Sequence, residues 1–206
     1  VLMGGSALAV NWAQAHVPAI LHAWYPGEEG GTAIADVLFG DANPGGRLPV
    51  TFYRSVEQLP SFDDYDMAGR TYRYMTEEPL YPFGFGKSYT AFEYSDLQVS
   101  PSRMGSGGAV QVAVDVLNAG EVAGDEVVQL YISYKDSAVS RPVKELKGFE
   151  RITLAAGERR VVTFTLSASQ LRYWGVDGWV LEPGMVEVQV GSSSRDIRVA
   201  GEVEVG

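Results

Sequence analysis

Residues 110–116 read VQVAVDV, with Val110, Val112, Val114 and Val116 in strict alternation with Gln111, Ala113 and Asp115. Side chains in a strand point to opposite faces with a period of two, so this stretch is a strand with one buried and one wetter face. The same period recurs in Val128, Leu130, Ile132 and Tyr134, in Val162, Phe164 and Leu166, and in Val186, Val188 and Val190. The segments NAGEVAGDE, LAAGERR, GVDG and EPG separate these runs with turn-forming residues. About seven short strands over roughly 110 residues predict a two-sheet sandwich of the immunoglobulin or fibronectin kind. The chain has no cysteine, so the disulfide of antibody domains is excluded and the fibronectin-like version is expected.

Upstream of Phe92 the pattern changes. Val1-Leu2-Met3-Gly4-Gly5-Ser6 reads as the tail of a buried strand entering a glycine turn. It has neither an initiator methionine nor a signal peptide's charged start and cleavage site. The chain is therefore expected to be cut from a longer polypeptide. Ser6–Ala15 is helix-compatible, Val17–Trp24 (VPAILHAW) is a short apolar run of buried-strand type, and Glu28–Phe39 sets Ala33, Ile34, Val37 and Leu38 on one helical face. Arg47–Phe52 supplies another strand after a DANPGG turn. Strand, helix, strand, helix, strand is the order of a parallel α/β layer. The expected fold is thus an α/β remnant over 1–53, an irregular linker over 54–91 and an all-β sandwich over 92–206.

Composition narrows the function. The net charge is −10 over 206 residues, which argues against nucleic acid and anionic membrane surfaces, since both are bound through clustered Lys and Arg. No apolar run approaches the roughly 20 residues of a membrane helix. The PFGFGKSYT segment ends its glycines with Gly86-Lys87-Ser88, as a phosphate-binding loop does. The position that such a loop gives to its first glycine is Tyr81, Pro82 has no N–H to offer, and the residues after Ser88 favour a strand over a helix. Nucleotide binding is excluded on those grounds.

Several long blocks of this sequence are specific. WYPGEEGGTAIADVLFGDANPGGRLPVTF (24–52), GRTYRYMTEEPLYPFGFGKSYTAFEYSDL (69–97), GDEVVQLYI (124–132) and RPVKELKGFERITLAAGE (141–158) resemble, in order, the C-terminal part of glycoside hydrolase family 3. The resemblance implies a retaining β-glycosidase in which a first barrel domain carries the nucleophilic aspartate. A second α/β domain, whose end is residues 1–53, carries the acid/base glutamate, and a fibronectin type III-like domain follows. It implies a substrate with terminal non-reducing β-xylosyl or β-glucosyl residues, an oligosaccharide or an aryl glycoside. The GRTYRY form at Gly69–Tyr74 points toward the β-xylosidase branch. The resemblance also favours a periplasmic or secreted location, a missing N-terminal segment as the partner, and no cofactor. Where the family has leucine, this chain has Lys87, so Lys87 is read as solvent-facing. The rival reading is a non-catalytic fibronectin-like module that binds polysaccharide or protein.

Catalytic residues are expected outside this chain, because the family's aspartate motif is missing and its glutamate belongs upstream of Val1. Glu28 and Glu29 read as charges that complement a helix N-terminus. Asp63, Asp64 and Asp66 read as a solvated acidic loop, because Met67 and Ala68 stand where a calcium loop needs ligands. His16 and His22 lie across a helix-to-strand break and offer no shared face to a metal. Trp24 and Tyr25 follow the carboxyl end of a parallel strand, where ligands collect in open α/β sheets, and aromatic faces suit the C–H faces of a sugar. Tyr72 and Arg73 are the second candidate pair, as the rim of a sugar pocket or as groups held between domains. Trp174 and Trp179 are expected to pack in the core or at an edge of the sandwich.

Overall fold

The computed structural model describes all residues from Val1 to Gly206. Three helices come first, α1 (Asn11–His16), α2 (Gly30–Phe39) and the single turn α3 (Thr71–Tyr74). Ten strands follow: β1 (Phe92–Ser100), β2 (Arg103–Met104), β3 (Ala109–Asn118), β4 (Gly124–Tyr134), β5 (Glu145–Leu154), β6 (Arg159–Ser167), β7 (Tyr173–Gly175), β8 (Gly178–Val180), β9 (Gly184–Gly191) and β10 (Ile197–Val205). They form a three-stranded sheet, β1-β3-β6, a five-stranded sheet, β2-β10-β9-β4-β5, and the separate β7-β8 hairpin. Apart from the short β2–β10 parallel pairing, the ladders are antiparallel.

The alternating valines decide the packing. Val112 pairs with Phe164 and Val114 with Val162 across β3–β6, while Leu130 pairs with Val190 and Ile132 with Val188 across β4–β9. A cluster of 21 buried residues between the two sheets includes all of these. Burying one such aliphatic side chain stabilises the fold by roughly 1.5–3 kcal/mol before entropy is counted. The turn after β3 is set by the fully buried Asn118. Its amide donates to the Leu154 carbonyl at 3.1 Å and to the Val122 carbonyl at 2.9 Å, and its Oδ1 accepts from Gly120 N–H at 3.1 Å.

Residues 1–53 form the expected α/β layer only in part. One parallel bridge is present, Leu2 with His22, and no strand is formed there. Residues 47–52 do not extend that parallel pair. They turn back on the 80–85 segment, with an antiparallel bridge between Phe52 and Tyr81 and bonds from Leu48 N–H to the Phe85 carbonyl (2.9 Å) and from Gly84 N–H to the Leu48 carbonyl (2.8 Å). The physical reason is availability: backbone groups need partners, and the linker supplies the neighbour that 47–52 finds. Helix α1 begins at Asn11 rather than Ser6, and α2 begins at Gly30, after the glutamates. Its expected apolar face is largely uncovered, with Ala33 and Leu38 exposed and Ile34 and Val37 half-buried.

The glycines of PFGFGKS make the linker fit the sandwich. Gly84 has a positive φ of 81°, and a Cβ on it would strike the Gln129 side chain, whose Nε2 donates to the Gly84 carbonyl at 3.2 Å. A Cβ on Gly86 would strike the Gly46 carbonyl and the Arg47 side chain. Arg47 itself forms a buried ion pair with Glu126 at 2.9 Å, their side chains 8% and 4% exposed. Lys87 is exposed.

Candidate functional site

The parallel bridge places two loops side by side. Leu2 N–H donates to the Leu21 carbonyl at 2.7 Å, Ala23 N–H to the Leu2 carbonyl at 2.8 Å and Gly4 N–H to the Trp24 carbonyl at 3.1 Å. The glycine turn at 4–5 and the Trp24–Gly27 turn therefore leave the same edge of the pair. Trp24 adopts φ +55°, a left-handed conformation that costs a non-glycine residue on the order of 1–3 kcal/mol and persists where surroundings fix it. Its indole meets the His22 ring edge-on at 4.3 Å and the Phe52 ring at 6.1 Å. His22 also meets Phe52 at 5.5 Å.

Tyr25 is the exposed member of this turn, 81% open to solvent. Its ring lies over Gly5, where a side chain would push it aside. Pro26 likewise closes over the buried Gly30, where a Cβ would collide with it. At Gly30 a side chain would displace the proline ring, whereas at Gly5 it would displace the exposed Tyr25 ring. Glu28 is exposed, and Glu29 accepts from the Thr32 hydroxyl at 2.9 Å just before α2.

Beneath the turn sit polar atoms without partners. Both ring nitrogens of His22 and the hydroxyl of Thr51 are buried without a hydrogen bond, a condition that costs free energy unless something satisfies it. Burial lowers the His22 pKa, since the charged imidazolium is the form that loses hydration. The imidazole is therefore neutral near pH 7, with one nitrogen free to accept and the other to donate. In the sequence His22 reads as an ordinary packing or surface histidine; its place between Trp24 and Phe52 depends on the non-local return of residues 47–52 and has no signal in spacing.

The aromatic chain continues from Phe52 to Tyr81 at 6.1 Å and from Tyr81 to Phe85 at 5.3 Å. The Tyr81 hydroxyl donates to Gln14 Oε1. Tyr72 belongs to another stack: its ring lies parallel to Phe83 at 4.4 Å and edge-on to Tyr131 at 5.9 Å, and its hydroxyl accepts from Leu146 N–H at 3.2 Å. Arg73 pairs with Glu145 at 2.9 Å, and Glu145 also takes Lys147 at 3.0 Å. The structure brings Trp24 and Tyr25 together on one turn and sets Tyr72 and Arg73 against the β4–β5 face of the sandwich. The aromatic contacts and the ion pair of the two pairs run to different neighbours. In the acidic loop, Asp64 accepts from Asp66 N–H at 2.8 Å, and Arg70 holds the Asp66 carbonyl at 2.8 Å.

The linker is clamped to the sandwich by contacts that span most of the chain. Arg195 donates to the carbonyls of Met75 (3.2 Å), Thr76 (3.2 Å) and Glu77 (2.9 Å). At the Arg47–Glu126 pair, burial pushes the Glu126 carboxyl up, and the Arg47 guanidinium only partly offsets it.

The expectation for the sandwich tryptophans is corrected. Trp174 and Trp179 are outside the core: they face each other across β7–β8 at 5.5 Å, edge to face. They are 68% and 64% exposed. The hairpin pairs only with itself and joins neither sheet, so the indoles have no core face to enter.

Two domain models match the chain. Residues 1–89 match the glycosyl hydrolase family 3 C-terminal domain, and residues 126–194 match a fibronectin type III-like domain. The chain is 44% identical over 194 residues to a xylan 1,4-beta-xylosidase of Xylanibacter ruminicola, covering 93% of this chain and 22% of that protein. It is 43% identical over 211 residues to a periplasmic beta-glucosidase of Salmonella typhimurium, covering 96% of this chain and 28% of that protein. A crystal structure of beta-glucosidase from Listeria innocua in complex with glucose aligns with a TM-score of 0.87 at 37% identity, covering 100% of this chain and 30% of that one. The chain spans less than a third of the length of these relatives.

Proposed function

We propose, from the premise that this chain belongs to glycosyl hydrolase family 3 through its C-terminal and fibronectin type III-like domains, that it is the C-terminal portion of a retaining β-glycosidase. The complete enzyme removes terminal non-reducing β-xylosyl or β-glucosyl residues from oligosaccharides or aryl glycosides, and acts in the periplasm or outside the cell. The observation that carries this reading is similarity along nearly the whole chain to a β-xylosidase and a β-glucosidase. A retaining mechanism needs two carboxyl groups about 5–5.5 Å apart, one attacking the anomeric carbon and one passing a proton to the leaving oxygen and back. In this reading the aspartate and glutamate that do so lie upstream of Val1, and residues 1–53 are the end of the α/β domain, with 54–91 as its linker to the sandwich.

The contribution of this chain is then positioning. Trp24 and Tyr25 offer aromatic faces to the sugar's C–H faces, with Trp24 fixed by its edge contacts to His22 and Phe52. Tyr72 and Arg73, held through Leu146 and Glu145, set the angle at which the linker leaves the sandwich and so the rim of the pocket. No cofactor takes part. The absence of a transmembrane-length apolar helix is compatible with this location.

The test has two arms. The purified chain alone is expected to release no chromophore from aryl β-xylosides or β-glucosides. Turnover abolished by Glu28→Gln or Glu29→Gln would place the acid/base here instead. In the complete enzyme, Trp24→Ala is expected to raise KM or lower kcat without a comparable fall in melting temperature; a fall in melting temperature alone assigns Trp24 to packing.

A further inference from the structure

The β7–β8 hairpin displays its most apolar side chains outward. Trp174 and Trp179 are directly opposed in the strand register, and Val176 at the tip is 99% exposed. A cross-strand aromatic pair stabilises its own hairpin, which accounts for the edge-to-face contact between the indoles but not for the open faces they keep. The hairpin is also rigidly mounted. Tyr173, the first residue of β7, lies against the Arg141 guanidinium at 4.7 Å, and Tyr134 lies against the same guanidinium at 4.0 Å. Arg141 is 7% exposed and pairs with Glu182 at 3.4 Å. The Tyr134 hydroxyl and Arg141 both donate to the Leu171 carbonyl, at 3.0 and 3.4 Å. A cage of cation and rings therefore fixes the base of the hairpin.

The size and charge of the patch select its occupant. At 68% and 64% exposure, two indole side chains offer about 200–330 Å². A stable protein partner needs about 800 Å² on each side, several times what the two indoles supply. Between Tyr173 and Val180 the only charged side chain is the acidic Asp177, so nothing there draws an anion. Flat, rigid, uncharged aromatic faces match the C–H faces of a neutral sugar chain.

We propose that the β7–β8 hairpin is a polysaccharide-binding platform that takes a neutral β-linked chain of pyranose units across the indoles of Trp174 and Trp179. The choice of β-linked sugars rests on the glycosidase reading above; the platform itself rests on the hairpin. No covalent step is involved.

The test uses the 206-residue chain with xylohexaose and cellohexaose, read by the indole N–H resonances in proton–nitrogen spectra. The expected result is saturable shifts of the Trp174 and Trp179 signals at millimolar sugar. Binding should weaken about tenfold or more in Trp174→Ala and in Trp179→Ala, and stay unchanged in Trp12→Ala. Should an alanine variant lose the hairpin, Trp179→Tyr keeps an aromatic pair and is expected to retain measurable binding. Absence of saturable shifts with either sugar overturns the proposal, as does undiminished binding in the Trp174→Ala/Trp179→Ala double variant. Self-association of the parent chain that the double variant abolishes also overturns it, in favour of a protein interface. Hydrolysis plays no part in this readout, so failure to bind leaves the glycosidase reading to its own assay.

Discussion

Residues 92–205 bury an apolar cluster of 21 side chains between two sheets, whereas in residues 1–53 Phe52 is the one buried apolar side chain. Both regions contain runs of aliphatic residues. The difference lies in where those runs find partners. In the sandwich the alternating apolar residues of β3, β4, β6 and β9 join one buried cluster within the same chain. In the first region Val17, Leu38 and Val50 remain exposed, and the expected face of α2 is largely uncovered. One region makes its own core. The other is held on it by the linker.

That comparison can be broken first at the junction. Arg47→Ala leaves the Glu126 carboxylate buried without its cation, and removal of one partner from such a pair costs about 3–5 kcal/mol. Urea unfolding of the sandwich should show this loss, although Arg47 lies outside it. A loss below about 1 kcal/mol would mean that water reaches Glu126 and that the junction opens. Within the core, Leu130→Ala should cost about 2–5 kcal/mol, while Leu38→Ala, on the uncovered side of α2, should change stability by no more than about 0.5 kcal/mol. Equal costs at the two positions would contradict the contrast.

Another expected effect is pH-dependent. Burial raises the Glu182 carboxyl, but the Ser137 hydroxyl, the Ala138 N–H and Arg141 outweigh it and hold the group below its ordinary value. Its folded pKa is depressed, so its stabilisation is fully present above the ordinary value near 4.5 and is lost as pH falls through the folded pKa. Glu182→Gln should flatten the fall of melting temperature with acid below about pH 4.5 and cost about 1–2 kcal/mol near neutrality. An unchanged acid slope would remove Glu182 from this role.

How much of this was readable in the sequence follows from the range of each interaction. The alternation in VQVAVDV specifies a strand and its buried face within a few residues, so β3, β4, β6 and β9 are legible. The turn at Asn118 is legible as a turn, though not as a buried amide bridging to Leu154. The pairing of 47–52 with 80–85, the Arg47–Glu126 pair and the Arg195 clamp join residues far apart in sequence, and such contacts leave no periodic trace. Trp174 and Trp179 misled because large aromatic side chains usually enter cores; their hairpin stands apart from both sheets. At the candidate site, Trp24 and Tyr25 stood out by chemistry and by position after an apolar run. His22 and Phe52 gained meaning only when the chain folded back over them.

The most direct test is amide hydrogen exchange on the isolated chain, since protection reports the free energy of opening each region. The account predicts strong protection in β3, β4, β6 and β9 and weak protection from Val1 to Tyr53. Strong, concentration-independent protection of Val17–Phe52 in the monomer would contradict it and show that the first region carries a stable core of its own.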